Sequence, residues 1–171
     1  MNITGDITGT ERAGKRVSRY EPARWVLTAV REAYGNPEAF QCLGPDAAAQ
    51  YWREQIETDP TVSMETEVGV VLMLNTRKRV IGHVVLATGT LDTLLIHPRE
   101  VFRPVIIAGA QSIVMMHHHP SGDPSPSEAD IKVTRDIMRA GQLLKIELMD
   151  HVIVGAPPRY ASLREMGYLA V

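Results

Sequence analysis

Three of the chain's six histidines stand side by side as His117-His118-His119, directly after the apolar run Ser112-Ile113-Val114-Met115-Met116. If that run is a buried strand ending in the histidines, its side chains alternate. His117 and His119 then share one face and His118 takes the other. Two imidazoles at i and i+2 on one face can bind a single metal ion. A carboxylate from the next helix would supply a third protein ligand and leave the fourth tetrahedral position to water, as an open catalytic zinc site requires. The chain continues suitably. Pro120 to Pro126 is turn chemistry, with three prolines and a glycine in seven residues. It returns the chain to Ser127-Glu128-Ala129-Asp130, where Asp130 falls in the first turn of a helix and faces the histidine pair. Ser127-x-x-Asp130 also reads as a capping box variant, and the two roles are compatible. Idle imidazoles at the end of a buried strand are disfavoured, because buried polar atoms need partners.

The elements that must position these groups follow from periodicity and punctuation. Val68–Leu74 and Arg79–Ala87 are apolar or β-branched runs joined by Asn75–Lys78, which predicts a hairpin. Leu94–Ile96 reads as a third short strand. Pro98 suits a helix start, and the helix continues from Arg99 to Ala110 with Pro104 expected to kink or shorten it. After the histidines a helix is predicted from Ser127 to about Arg139, terminated by Gly141. Lys145–Val154 reads as a last strand and Ser162–Met166 as a closing helical turn. Strands interleaved with helices indicate a mixed α/β sandwich.

Upstream, residues 1–20 read as a flexible arm whose Arg12, Lys15, Arg16 and Arg19 are better taken as a solvated cluster than as a nucleic-acid contact. Residues 21–60 read as two helices packing on the core. One runs from Pro22 to Tyr34 and the other from Asp46 to about Ile56, with Pro60 beyond it and Trp25 and Trp52 as their apolar anchors. Residues 61–171 form the main domain.

With 171 residues, 44% hydrophobic and 22% charged, the chain has ordinary globular composition and enough length for a real core. A formal charge of −2 provides no global basic field for nucleic acid. No apolar run approaches the ~18 residues that span a bilayer, and the first residues lack the apolar core of a secretory signal. A cytoplasmic location without membrane association is the expectation. One cysteine, Cys42, excludes an intramolecular disulfide and a multi-cysteine zinc site, and it carries no nucleophile signature. Met115 and Met116 are core residues rather than soft ligands.

The string His-x-His-Pro-Ser-Gly-Asp-Pro-x-Pro-Ser-x-x-Asp resembles bacterial RadC-like JAB domains, historically labelled DNA repair proteins. Its kernel, His-x-His, seven residues, then Ser-x-x-Asp, is similar to the JAMM motif of MPN+/JAB metalloproteases. Gly89-Thr90-Leu91, His97 to Phe102, Asp150 to Gly155, Ser162-Leu163 and Gly167 fit the same pattern, so the resemblance covers roughly residues 60–170. It implies a JAB/MPN-type mixed β-sheet flanked by helices, a cytidine-deaminase-like three-layer sandwich. It makes His117, His119 and Asp130 the ligands of a zinc ion and Ser127 the stabiliser of an oxyanion. The family's upstream glutamate corresponds to Glu67 in Glu67-Val68-Gly69-Val70-Val71-Leu72-Met73-Leu74. Gly69 replaces the usual phenylalanine, and Glu65 is the competing candidate. His118 stands where the family usually has asparagine and is left outside the ligand set.

The resemblance implies hydrolysis of a peptide or isopeptide amide, with zinc-activated water and Glu67 as general base. The substrate would be a peptide or protein, in related enzymes often a ubiquitin-like tail, though nothing in this sequence identifies one. Deamination wants a His-x-Glu and a Pro-Cys-x-x-Cys pair, which one cysteine cannot provide. A non-catalytic protein-interaction module and a DNA repair accessory are the rival readings. For the latter, residues 1–60 are too short for the helical module that precedes the domain in full-length relatives, and Arg77-Lys78-Arg79 reads first as a solvated turn. Asp150 and His151 read either as support for the metal site or as hydrogen-bonded core groups.

Overall fold

A computed structural model of the chain describes residues 40–89 and 96–169. The arm, the basic cluster, the helix from Pro22 to Tyr34 with Trp25, and Leu94–Leu95 lie outside the described residues.

Five strands form one mixed sheet: β1 (Glu67–Leu74), β2 (Val80–Gly89), β3 (Ser112–His118), β4 (Glu147–Val154) and β5 (Tyr160–Ser162). Their spatial order is β2-β1-β3-β4-β5. β1 runs antiparallel to both β2 and β3, β3 and β4 are parallel, and β5 returns antiparallel to β4. The β1–β2 turn is closed by the Asn75 side chain, whose Oδ1 accepts from the amides of Arg77 and Arg79 at 2.9 and 3.1 Å. Three helices complete the described part: α1 (Pro45–Tyr51), α2 (Pro98–Ala108) and α3 (Glu128–Leu144). α3 is the crossover between the parallel strands.

Alternation along the strands produces two cores. Val68, Val70, Leu72 and Leu74 of β1 join Val114, Met116, Val152 and Val154 beneath α1 and Trp52. Val71 and Met73 join Ile113, Met115 and Leu148 beneath Val101, Phe102 and Val105 of α2 and Ile137 of α3. The result is the three-layer α/β arrangement expected. Because both faces of β3 are buried in apolar contacts, a one-residue slip would exchange every side chain between the cores. The register that sends His117 one way and His118 the other is therefore strongly specified. Among the described residues no helix is long and apolar enough to cross a membrane.

Several expectations are corrected. α3 does not stop at Gly141 but runs on to Leu144, where Lys145 adopts the left-handed conformation with φ 59°. The cap is of the Schellman kind, with Ile146 N–H donating to Gly141 C=O at 2.9 Å. Gly141 is glycine for a different reason. A Cβ there would strike the Ile146 carbonyl and approach Phe102 Cζ to 3.2 Å. α2 runs through Pro104, as expected, but ends at Ala108 rather than Ala110. The helix expected from Asp46 starts at Pro45, and beyond Tyr51 it widens into a π-helical turn, Trp52–Ile56. Ile96 lies in no strand, the last long strand begins at Glu147 rather than Lys145, and Ser162 belongs to β5. Hydrogen-bonded turns follow it instead of a helix.

Candidate metal centre

β3 delivers His117 and His118 in strand conformation, and His119 follows at its end, held to β4 by its amide on the Val154 carbonyl at 3.2 Å. His117 pairs with Gly69 of β1, two residues after Glu67 opens that strand. Glu67 is half-buried and has the parity of Gly69, Val71 and Met73, which is the face of His117. Glu65 lies exposed before the strand begins.

The loop after His119 is fixed on both sides. Gly122 N–H donates to His119 C=O at 2.8 Å, and the Gly122 carbonyl accepts from the Ala156 amide at 3.0 Å and from Arg159 Nη2 at 2.8 Å. Gly155 packs so closely that a Cβ would come within 2.7 Å of that same carbonyl. Asp123 curls its Oδ1 over Ser125, accepting from its amide at 3.1 Å and its hydroxyl at 2.8 Å. Its backbone carbonyl is 2.7 Å from His119 Nδ1. A carbonyl can only accept, so Nδ1 carries the proton and His119 presents Nε2 as its free nitrogen.

Asp130 enters from the first turn of α3. Both roles of Ser127-x-x-Asp130 occur together. Ser127 Oγ accepts the Asp130 amide at 3.2 Å while Asp130 Oδ2 accepts from the Ser127 amide at 2.8 Å and from its hydroxyl at 2.7 Å. This capping box leaves the carboxylate against the imidazoles, with Oδ1 3.3 Å from His117 Nε2 and Oδ2 3.8 Å from His119 Nε2. The two Nε2 atoms are 3.1 Å apart. Four-coordinate zinc with bonds of about 2.0–2.1 Å implies ligand separations of about 3.3–3.4 Å. Two nitrogens and a carboxylate group at these spacings suit a divalent ion, and His117, His119 and Asp130 could hold one. The His117 and Asp130 side chains are 3% and 6% exposed, whereas His119 is 15% exposed, so the site is reached from the His119 side.

Burial pushes the His117 imidazole well below the usual histidine range, and its histidine neighbours His151, His119 and His118 add to the effect. The neutral ring is the ligating form. Behind it stands His151 on β4, fully buried and pushed down to about 4 by that burial. His117 Nδ1 lies 2.8 Å from His151 Nε2, and His151 Nδ1 contacts Thr134 Oγ1 on α3 at 2.5 Å. Sequence reasoning left His151 between two roles and passed over Thr134. The available signal was that Thr134 sits one helical turn after Asp130, on the same side of α3.

The remaining candidates are drawn elsewhere. His118 points into the α1 core, where its Nε2 donates to the Met64 carbonyl at 3.1 Å and its ring lies 5.6 Å from that of Trp52. Asp150 ties β4 to the chain end, accepting from the His151 and Arg164 amides and from the Ser162 hydroxyl. Lys78 of the basic turn is paired with Glu147 at 3.0 Å. The Cys42 thiol is pushed up to about 11 by burial, which makes it a poor nucleophile. A hollow of about 610 Å³ opens at the opposite end of α3, between Gln142, Lys145 and Arg164, and none of His117, His119 and Asp130 lines it.

The chain matches the family model described as RadC-like JAB domain over residues 42–168. A UPF0758 protein of Bacillus cereus (strain B4264) is 35% identical over 94% of this chain and 67% of its own length. One from Bacillus mycoides (strain KBAB4) is 35% identical over 99% and 69%. One from Methanosarcina acetivorans is 34% identical over 94% and 66%. The chain thus spans about two thirds of the length of these relatives. On the strength of the match and of the fold, this chain belongs to the family of RadC-like JAB domains.

Proposed function

We propose that the domain is a zinc-dependent hydrolase of peptide or isopeptide amides. The observation that carries this reading is the convergence of His117 Nε2, His119 Nε2 and an Asp130 carboxylate oxygen within 4.8 Å of one another. His119 commits its other ring nitrogen to a carbonyl, so its lone pair is directed inward. A cation is what such a set of electron-pair donors accommodates. When bound, zinc would supply Lewis-acid chemistry, lowering the pKa of a water towards about 7 and polarising the amide carbonyl.

The chain's own residues do the rest. Glu67, on the same sheet face as His117, takes a proton from the attacking water and returns it to the leaving amine. Ser127, whose hydroxyl now donates to Asp130 Oδ2, turns that O–H towards the developing oxyanion. Such a donor is worth ~2.7–4 kcal/mol in enzymes where one has been removed. Asp130 stays in place during this turn because the Ser127 amide also holds it.

The test is metal content by plasma mass spectrometry on wild type, His119→Ala and Asp130→Ala, followed by screening of peptide and isopeptide substrates. Near-stoichiometric zinc in wild type and its absence from both folded variants is the expected result, with amide cleavage abolished in Glu67→Gln. A folded, zinc-supplemented wild type that holds no metal would overturn the reading and leave a protein-interaction module as the role to pursue.

A further inference from the structure

We infer that His151, braced by Thr134, is the positioning residue that fixes which nitrogen of His117 faces the metal. The inference rests on the metal-centre reading above and adds to it a chain of contacts through three elements. His117 is on β3, His151 on β4 and Thr134 on α3. Parallel pairing sets His151 beside Met115, one pleat below His117 on the same face.

The direction of the chain follows from donors and acceptors. Thr134 Oγ1 contacts the Asp130 backbone carbonyl and His151 Nδ1, both at 2.5 Å. The carbonyl can only accept, so the Thr134 O–H is spent there and its oxygen must receive a proton from His151 Nδ1. A neutral His151 then has a bare Nε2, and the only proton available for the 2.8 Å contact to His117 is the one on His117 Nδ1. His117 is left with its lone pair on Nε2, 3.3 Å from Asp130 Oδ1 and 3.1 Å from His119 Nε2. Reversing every bond would put a proton on His117 Nε2, in the place of the ion. It would also leave two oxygens, Thr134 Oγ1 and the Asp130 carbonyl, in contact with no proton between them.

A metal-ligating histidine usually donates its other N–H to a carboxylate, carbonyl or water. Here the acceptor is a second imidazole, which is an acceptor at Nε2 only because Thr134 receives from Nδ1. The same threonine bonds back to Asp130, so two ligands from different elements are referenced to one hydroxyl. His119 is set independently through Asp123. The relay therefore acts on one of the two histidines.

The experiment is a competition titration of zinc, and of cobalt(II) read by its visible absorption, against a chromophoric chelator. The proteins are wild type, His151→Phe, His151→Gln and Thr134→Val, each checked for folding by circular dichroism. Phenylalanine fills the space without an acceptor, and valine replaces the hydroxyl at equal volume. The expected result is a loss of about 10- to 100-fold in affinity for His151→Phe, the range found for such supporting groups. A smaller loss is expected for Thr134→Val, with recovery of most of the affinity and of the cobalt spectrum in His151→Gln, whose carbonyl oxygen can accept. Folded His151→Phe and Thr134→Val proteins with wild-type affinity and spectrum would overturn the inference while leaving the metal centre standing. A wild type that binds neither ion would instead overturn the metal centre, and the positioning role with it.

Discussion

His117 and His118 are neighbours in one strand, yet they sit in opposite worlds. On the α2–α3 face His117 belongs to a linked set of polar groups, His119, Asp130, His151 and Thr134, in which ring nitrogens and a carboxylate face one another. On the α1 face His118 rests against Trp52 and gives its proton to the Met64 carbonyl, surrounded by valine, leucine and methionine. The same side chain is a prospective ligand on one face and packing on the other. What separates them is a single step of strand alternation, so residue type alone assigns neither role.

The sharpest way to break that contrast is to damage the α1 face and look for an effect on the other. Trp52 is fully buried, and Trp52→Ala should cost about 3–5 kcal/mol of stability, as large aromatic truncations in cores do. Urea denaturation would measure this. Zinc bound per folded molecule should stay at the wild-type value, and its loss would mean the two faces are not separable.

Acid should act on the opposite side. His151 is pushed down to about 4, and His117 well below the usual range, by burial. Unfolding frees both to take up protons below about pH 6.5. The unfolded state therefore binds more protons in the window between 6.5 and about 4, and stability rises with pH across it. It is fully present above 6.5 and is lost as pH falls. Integrated across this window, His151 alone contributes on the order of 3 kcal/mol of stability in the metal-free protein, at ~1.4 kcal/mol per pKa unit. Denaturation midpoints followed from pH 7 to 4 should fall in wild type and fall less in His151→Gln. Equal slopes in the two proteins would show that His151 is not a buried neutral ring.

Two smaller effects sharpen the comparison further. Gly141→Ala drives a methyl into the Ile146 carbonyl and towards Phe102, at a cost of about 1–3 kcal/mol. Because Gly141 is at the far end of α3 from Asp130, thermal denaturation should show the loss while zinc content does not. His118→Asn should change stability by no more than about 1 kcal/mol and leave zinc affinity unaltered. A marked drop in affinity would place His118 within the metal site.

Much of this was legible in the sequence because the signals were local. The histidine triplet after an apolar run fixed which imidazoles share a face, and Ser127-x-x-Asp130 located the helix start that carries the carboxylate. What escaped has a common physical character. Gly141 reads as a helix stop by its backbone freedom, but its role is close approach to Phe102 and Ile146, which no local pattern reveals. β5 is three residues long, too short for alternation to register. Thr134 and His151 are separated by a helix end and a strand. Periodicity reports the face each occupies, not that their side chains meet.

The Gly122 carbonyl carries one more consequence. It is the anchor that receives Ala156 and Arg159, so the loop between His119 and Ser127 is braced by a segment that comes about thirty residues after the last candidate ligand. During synthesis, the ribosome releases all the groups that could grip an ion well before it releases the brace. A fragment trimmed just beyond Asp130 would contain every candidate ligand and Glu67, but it would lack β4 and the clamp. The loop that leads from the histidines to Asp130 is thus clamped late in the life of the chain, and a fragment that keeps this clamp must extend to Arg159, well past the motif.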